Sequence, residues 1–158
     1  MFSCIKAATL AVIAVATGTA LAETHTITFV NKWVRLPERQ NGAVLSTGAP
    51  YTSNGPIIDA IAYLQTGSCG FNGEGCIIVE INLQNPTTPG SGSTTDLSLI
   101  PPHAFSVTTG FAYLGACAPA GADCTNANCP AASINPNGTP MQVSCQADDT
   151  NLVITFCD

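Results

Sequence analysis

The chain has 158 residues, of which 46% are hydrophobic and only 9% charged, and its formal net charge is −6. With four basic side chains against ten acidic ones, it has no basic surface for nucleic acid or anionic lipid, and we expect neither as a partner. Its length fits one domain with its own hydrophobic core.

The first 22 residues have the pattern of a secretory signal peptide. Lys6 precedes an apolar run over 7–17, and Ala20-Leu21-Ala22 supplies the small residues of a cleavage site. The run is shorter than the roughly 20 apolar residues of a membrane span. We expect cleavage after Ala22 and one mature domain over 23–158 that is secreted or cell-wall associated and not membrane-bound. Its ten acidic and three basic residues leave it acidic.

Cysteine usage also predicts an oxidising compartment. Eight cysteines are present, and Cys4 leaves with the signal. The remaining seven should pair with one left over, in roughly a hundred alternative arrangements of three bonds. They lack C-x2-C spacing, and His25 and His103 stand far from them and from any triad order, so we expect no metal and no cofactor.

Period-two alternation predicts strands along the mature chain. The first covers 24–33, and a short one covers 43–45. Residues 57–64 suit a helix by their apolar positions, but their isoleucines and tyrosine favour the strand that we predict. Later strands are expected over 77–83, 96–100, 104–107, 111–114, 141–145 and 151–156, with a crosslinked loop over 115–137. This succession predicts an all-β sandwich or barrel.

Two of these strands are expected to carry carboxylates on their polar faces. In 77–83, the odd-numbered residues share one apolar face, while Glu80 points the other way with Ile78 and Asn82. In 96–100, Leu97 and Leu99 point inward and Asp96 and Ser98 outward.

Five stretches in order carry a family resemblance: FVNK at 29–32, LQTGSC with FNGEGC over 64–76, EINL and DLSLI at 80–83 and 96–100, the cysteine run 115–130, and VSC with ITFC at 143–145 and 154–157. The set resembles the small secreted thaumatin-like glycopeptides of basidiomycete fungi. The resemblance implies a compact, disulfide-stapled β-sandwich of minimal thaumatin-like type. The family's disulfide-rich second domain would follow Cys129 and is missing here.

The resemblance also implies the disulfides. It pairs Cys69 with Cys76, Cys117 with Cys145, and Cys124 with Cys129. In the family, the equivalent of Cys157 bonds to a cysteine at the end of the first strand, but this chain has Trp33 there and Cys157 is left unpaired.

The departure at Trp33 has two interpretations. One is a reading-frame artefact over residues 33–40. Codons can be chosen for Trp33 to Arg39 that encode Gly-Phe-Gly-Tyr-Pro-Asn-Gly when they are read one base later. That sequence is close to the family's Cys-Gly-x-Gly pattern. The other is a genuine loss that leaves Cys157 as a free or intermolecular thiol. Transcript sequencing separates them.

The resemblance further implies an acidic cleft, associated in the family with binding and in some members weak hydrolysis of β-1,3-glucan. Glu80 matches the cleft Glu and Asp96 one cleft Asp, and two carboxylates are the minimum for glycoside hydrolysis. However, Ile78 replaces a basic family residue, and the next family Asp falls within 100–102. The structural alternative is two solvated carboxylates on a strand face.

Three functions remain open. The first is binding of β-glucan in a cell wall or extracellular matrix without efficient catalysis. The second is a weak β-1,3-glucanase using Glu80 and Asp96. The third is a small structural or effector protein that meets a protein partner. Asn137-Gly138-Thr139, followed by Pro140, is an N-glycosylation sequon. The loop 87–95 suits O-linked sugar, with bare surface loops as the alternative for both.

Overall fold

The computed structural model describes residues 23–31, 38–40 and 42–157. The predicted signal peptide over 1–22 and the family difference at Trp33 lie outside these residues. Within them, no helix is long and apolar enough to cross a membrane.

Twelve strands and one turn of 3-10 helix are seen in the described ranges. The strands are β1 (His25–Asn31), β2 (Glu38–Gln40), β3 (Ala43–Ser46), β4 (Tyr51–Ser53), β5 (Ile57–Ala62), β6 (Ile78–Leu83), β7 (Ser93–Ser98), β8 (Thr109–Leu114), β9 (Gly121–Cys124), β10 (Ala132–Ser133), β11 (Val143–Cys145) and β12 (Asn151–Phe156), and the 3-10 turn covers Gly115–Cys117. The predicted all-β class is therefore confirmed.

The strands form two sheets. One has the order β4-β1-β12-β8-β9, and the other has the order β10-β7-β6-β5-β2-β3 with β11 also paired to β7. Their facing surfaces form one buried apolar core that includes Ile27, Val79, Leu97 and Ile154. Three disulfides staple this sandwich.

Tyr113 of β8 joins the two sheets through a polar contact inside the core. Its hydroxyl donates to the Val143 carbonyl oxygen at 2.8 Å and lies 3.1 Å from Thr95 Oγ1 of β7. Burial raises the pKa of Tyr113 to about 12. The side chain therefore stays neutral and serves as a fixed donor between the sheets.

The register of β6 and β7 confirms the predicted faces of both strands. Val79 lies opposite Leu97 and Ile81 opposite Thr95, and all four are fully buried on the core side. Strand β12 has the predicted bounds, and β5 is a strand rather than a helix, as expected.

Three predicted elements were wrong. Strand β7 covers 93–98 rather than 96–100, because the polar run Ser93 to Thr95 pairs with β11 and its last two residues also pair with β6. Residues 104–107 are not a strand, and Ala104 instead donates a single bond to the Cys76 carbonyl oxygen. The expected loop over 115–137 contains β9 and β10.

The first and last strands are neighbours, as predicted. Strand β1 runs parallel to β12 with Asn31 opposite Phe156. The end of β1 therefore lies beside the end of β12, which Cys157 follows directly. Cys157 is free and exposed. The backbone of 38–40, within the segment suspected of a frame error, forms β2 between β3 and β5.

The disulfides are the three that the resemblance implies. Cys69 bonds to Cys76, Cys117 to Cys145, and Cys124 to Cys129, with Cα–Cα distances of 5.5, 5.8 and 5.4 Å. Cys117–Cys145 ties the end of β8 to β11. The other two close short loops of seven and five residues' separation.

Candidate functional site

Glu80 and Asp96 face each other across two neighbouring strands. Glu80 of β6 is the direct partner of Asp96 in the antiparallel register with β7. Directly opposed residues share a face and have Cβ atoms about 4.5–5.5 Å apart. The structure thus brings the two predicted carboxylates together on the side of the sheet that faces away from the core.

Asp96 is not the solvated carboxylate that the sequence suggested, since its residue is only 3% exposed. The Ser133 hydroxyl donates to Asp96 Oδ2 at 2.9 Å, and the Gln142 side chain lies near enough to lower the pKa of this carboxyl. Ser133 Oγ in turn accepts from the Met141 backbone N–H at 3.0 Å. Strand β10 and the segment before β11 therefore cover Asp96.

Glu80 stays partly exposed beside it. Burial raises the pKa of Glu80 first, and the negative charge of Asp96 raises it further. The pKa of Asp96 is also raised by burial, against the opposing effect of Ser133 and Gln142. Two carboxyls in this arrangement favour holding a proton at higher pH than free side chains do.

A buried hydroxyl lies next to this pair. Ser98 shares the face of Asp96 and is fully buried. It lies near enough to Glu80 to lower the pKa of that carboxyl, yet its Oγ forms no hydrogen bond of ordinary geometry with the described residues. The Ser98 hydroxyl is therefore a buried donor beside Glu80.

The Cys69–Cys76 loop closes one end of the carboxylate face. A Cβ on Gly73, whose φ is +79°, would lie 2.5 Å from Ile78 Cγ2, so the loop backbone packs directly on the outward side of β6. The buried Tyr63 hydroxyl donates to the Phe71 carbonyl oxygen at 2.9 Å and holds the loop down. Phe71 in this loop is 56% exposed.

His103 connects this loop to the carboxylates. Its Nδ1 lies 3.0 Å from the Gly73 carbonyl oxygen, and because a carbonyl only accepts, Nδ1 carries a hydrogen. The positive charge of protonated His103 also lowers the pKa of Glu80. The sequence placed His103 in no motif, and the turn closed by its backbone N–H to the Ile100 carbonyl oxygen brings it to this loop.

A shallow groove runs along the exposed side of Glu80. It is lined by residues of β5 and β6, namely Asp59, Ala60, Ile61, Glu80, Ile81 and Asn82. Asp59 has a φ of 54° at a bulge in β5, and its backbone N–H donates to Asn82 Oδ1 at 2.8 Å. The bulge places an exposed carboxylate at the groove rim, which sequence periodicity did not indicate.

The other candidate residues lie elsewhere. His25 is buried at the start of β1, with Nδ1 2.7 Å from the Thr150 carbonyl oxygen and Nε2 2.9 Å from Glu23 Oε1. Asn137 is exposed in the loop between β10 and β11. In the described part of the chain, no three His, Cys, Asp or Glu residues are grouped to hold a metal ion.

Comparison with protein-family models and with curated protein sequences finds no match to the chain. Its function is therefore argued from the site itself. Along its open groove the site has the accessible carboxylate of Glu80, the exposed carboxylate of Asp59 and the amide of Asn82. The covered carboxylate of Asp96 lies opposite Glu80. The loop closed by the Cys69–Cys76 disulfide packs on the same side of β6.

Proposed function

We propose that this chain is a secreted thaumatin-like protein that binds β-glucan of a cell wall or extracellular matrix without efficient catalysis. The observation that carries the proposal is the opposed pair Glu80 and Asp96 at the groove, with only Glu80 open to a ligand. Three oxidised pairs support an extracellular setting, because disulfides persist in oxidising compartments.

The chemistry of the groove favours a neutral, hydroxyl-rich ligand. Glu80 and Asp59 present carboxylate oxygens as acceptors, which suit the donor hydroxyls of a sugar chain. The acidic balance of the whole chain disfavours polyanionic glycans by charge repulsion. An open groove rather than a closed cavity suits an extended polymer that enters from the side.

Efficient hydrolysis needs two carboxyl groups that flank the scissile bond. Asp96 is covered and its carboxylate accepts from Ser133, so it has no open path to a sugar in the groove. The site therefore suits binding of a sugar chain better than its hydrolysis.

Weak β-1,3-glucanase activity is the second candidate, and one observation favours it. The raised pKa of Glu80 suits a carboxylic acid that donates a proton to a leaving oxygen. In that case Asp96 assists by its charge from behind Glu80, and any turnover depends on Glu80 remaining an acid.

A third candidate is a small structural or effector protein that recognises another protein. The exposed Phe71 of the Cys69–Cys76 loop gives it an apolar contact point. A protein of this third kind would have no affinity for glucan.

The experiment is a pull-down on insoluble curdlan combined with a reducing-sugar assay on laminarin. Binding without sugar release supports the proposal. Release that Glu80→Gln abolishes supports the glucanase. If the protein neither binds nor releases sugar, both glucan hypotheses fail and the third candidate is left. Asp148→Asn is the matched control, since Asp148 is an exposed carboxylate in the turn before β12, outside the groove.

A further inference from the structure

We propose that Asn137 carries an N-linked glycan whose first sugars cover an apolar hollow between β10 and β11. The residues that support this inference lie outside the Glu80 groove. The inference goes beyond the proposed function and stands or falls independently of it.

The hollow has an apolar lining that the fold leaves open. Ile134 is 65% exposed and Met141 is 48% exposed, and both line the same hollow together with Pro130. The two side chains form a small exposed apolar patch, which a group attached nearby can remove from water. The backbone of both residues is held in place. Ile134 directly follows β10, and the Met141 backbone N–H donates to Ser133 Oγ at 3.0 Å.

The sequon lies on the rim of this hollow. Gly138 and Thr139, its second and third residues, belong to the same lining as Ile134 and Met141. Asn135 shapes the loop, since its carbonyl oxygen accepts from the Gly138 N–H at 3.0 Å and its Oδ1 accepts from the Asn137 N–H at 2.9 Å. This turn leaves Asn137 exposed, so the folded protein has room for a bulky sugar on its surface.

The modification is a group transfer from a lipid-linked pyrophosphate oligosaccharide. Asn137 Nδ2 loses one hydrogen as a proton and forms a bond to C1 of the N-acetylglucosamine at the reducing end. The C1–O bond to the donor breaks, and the lipid pyrophosphate leaves with the bonding electron pair. No oxidant or reductant is needed.

A sugar rooted at Asn137 fits the hollow by its chemistry. The C–H faces of pyranose rings are apolar and pack on side chains such as Ile134 and Met141, while their hydroxyls remain in water. The glycan thus removes apolar surface from solvent without a protein partner. A second copy of this chain seated on the patch is the competing occupant.

The first experiment measures the attachment. Protein secreted from an N-glycosylating eukaryotic host should lose mass on treatment with peptide N-glycosidase F, and so should Thr139→Ser, which keeps the sequon. Asn137→Gln and Thr139→Ala should show no mass loss. Because Pro140 follows the sequon, the fraction occupied is read from the intact mass, and a wild-type protein with no mass loss overturns the proposal.

The second experiment measures the covering. Enzymatic removal of the glycan from folded wild-type protein should raise the fluorescence of the hydrophobic dye ANS. In the deglycosylated double variant with Ile134→Ser and Met141→Ser, the rise should be absent. Equal dye fluorescence before and after removal contradicts the covering role, and sugar-free wild-type protein that elutes as a dimer assigns the patch to a second copy.

Discussion

Glu80 and Asp96 are direct partners across the β6–β7 ladder, but only Glu80 is open to solvent. Asp96 is held from behind by Ser133 at 2.9 Å. Like charges placed directly opposite each other destabilise a sheet. The pair therefore lowers the stability of the fold at neutral pH. A binding role for Glu80 explains why a destabilising carboxylate stands at this position.

The first prediction concerns stability and pH. The pKa values of Glu80 and Asp96 are raised above their ordinary values of 4.5 and 3.8, so ionisation disfavours the folded state. Their contribution to folding is fully present below the ordinary values and is lost as pH rises through the raised ones. Glu80→Gln should therefore increase the free energy of unfolding at about pH 7 by about 0.2–1 kcal/mol, with little change at about pH 3.

Urea unfolding of wild type and Glu80→Gln at both pH values checks this. Asp148→Asn, which alters an exposed carboxylate, should shift neither midpoint appreciably. A loss of stability at neutral pH in Glu80→Gln would show that the Glu80 charge stabilises the fold.

The second prediction concerns the support of Asp96. Ser133→Ala removes the hydroxyl that donates to the covered carboxylate and accepts from the Met141 N–H. The loss should cost about 1–3 kcal/mol of unfolding free energy, because buried polar groups are left without partners. Denaturant unfolding measures it, and Ser144→Ala at an exposed position of β11 is the control. Equal stabilities of the two variants would contradict the account.

The third prediction separates backbone strain from packing in the disulfide loop. Gly73 and Gly67 both have positive φ, +79° and +96°, but only a Cβ at Gly73 would meet Ile78 at 2.5 Å, while Gly67 has open space. Gly73→Ala should therefore be the more destabilising by about 1–3 kcal/mol, the usual cost of overpacking. Thermal or urea unfolding of both variants decides it, and equal losses would mean that the loop does not press on β6.

The fourth prediction concerns Cys157, which is free and exposed. Native protein should react with one equivalent of a thiol reagent such as DTNB, and Cys157→Ser should react with none while keeping its stability. A native protein with no reactive thiol, which runs at twice the monomer mass on a non-reducing gel and at the monomer mass after reduction, would indicate an intermolecular bond instead.

Much of the fold could be predicted from the sequence, where apolar residues alternate. Strand β12 and the faces of β6 follow from this rule, and so does the placement of Glu80 and Asp96 on one side. The start of β7 did not follow, because Ser93 and Thr95 are buried through pairing rather than through apolar character.

The surroundings of the carboxylates could not be predicted. Ser133 and His103 reach the site from coil and short strand segments, 37 residues from Asp96 in the first case. No spacing rule relates such segments to a strand, since their positions depend on packing of the finished sandwich. The bulge that exposes Asp59 is likewise a backbone feature that periodicity does not report.

The most direct test of the central claim is isothermal titration of soluble laminarin oligosaccharides into the purified mature protein. Wild type and Asp148→Asn should bind, and Glu80→Gln should bind about tenfold more weakly, which matches the about 1.4 kcal/mol expected for one charge-assisted hydrogen bond. Since Glu80→Gln is expected to be at least as stable as wild type, weaker binding reports the contact itself. Absence of binding by the wild type, or equal affinity of all three proteins, would contradict the account.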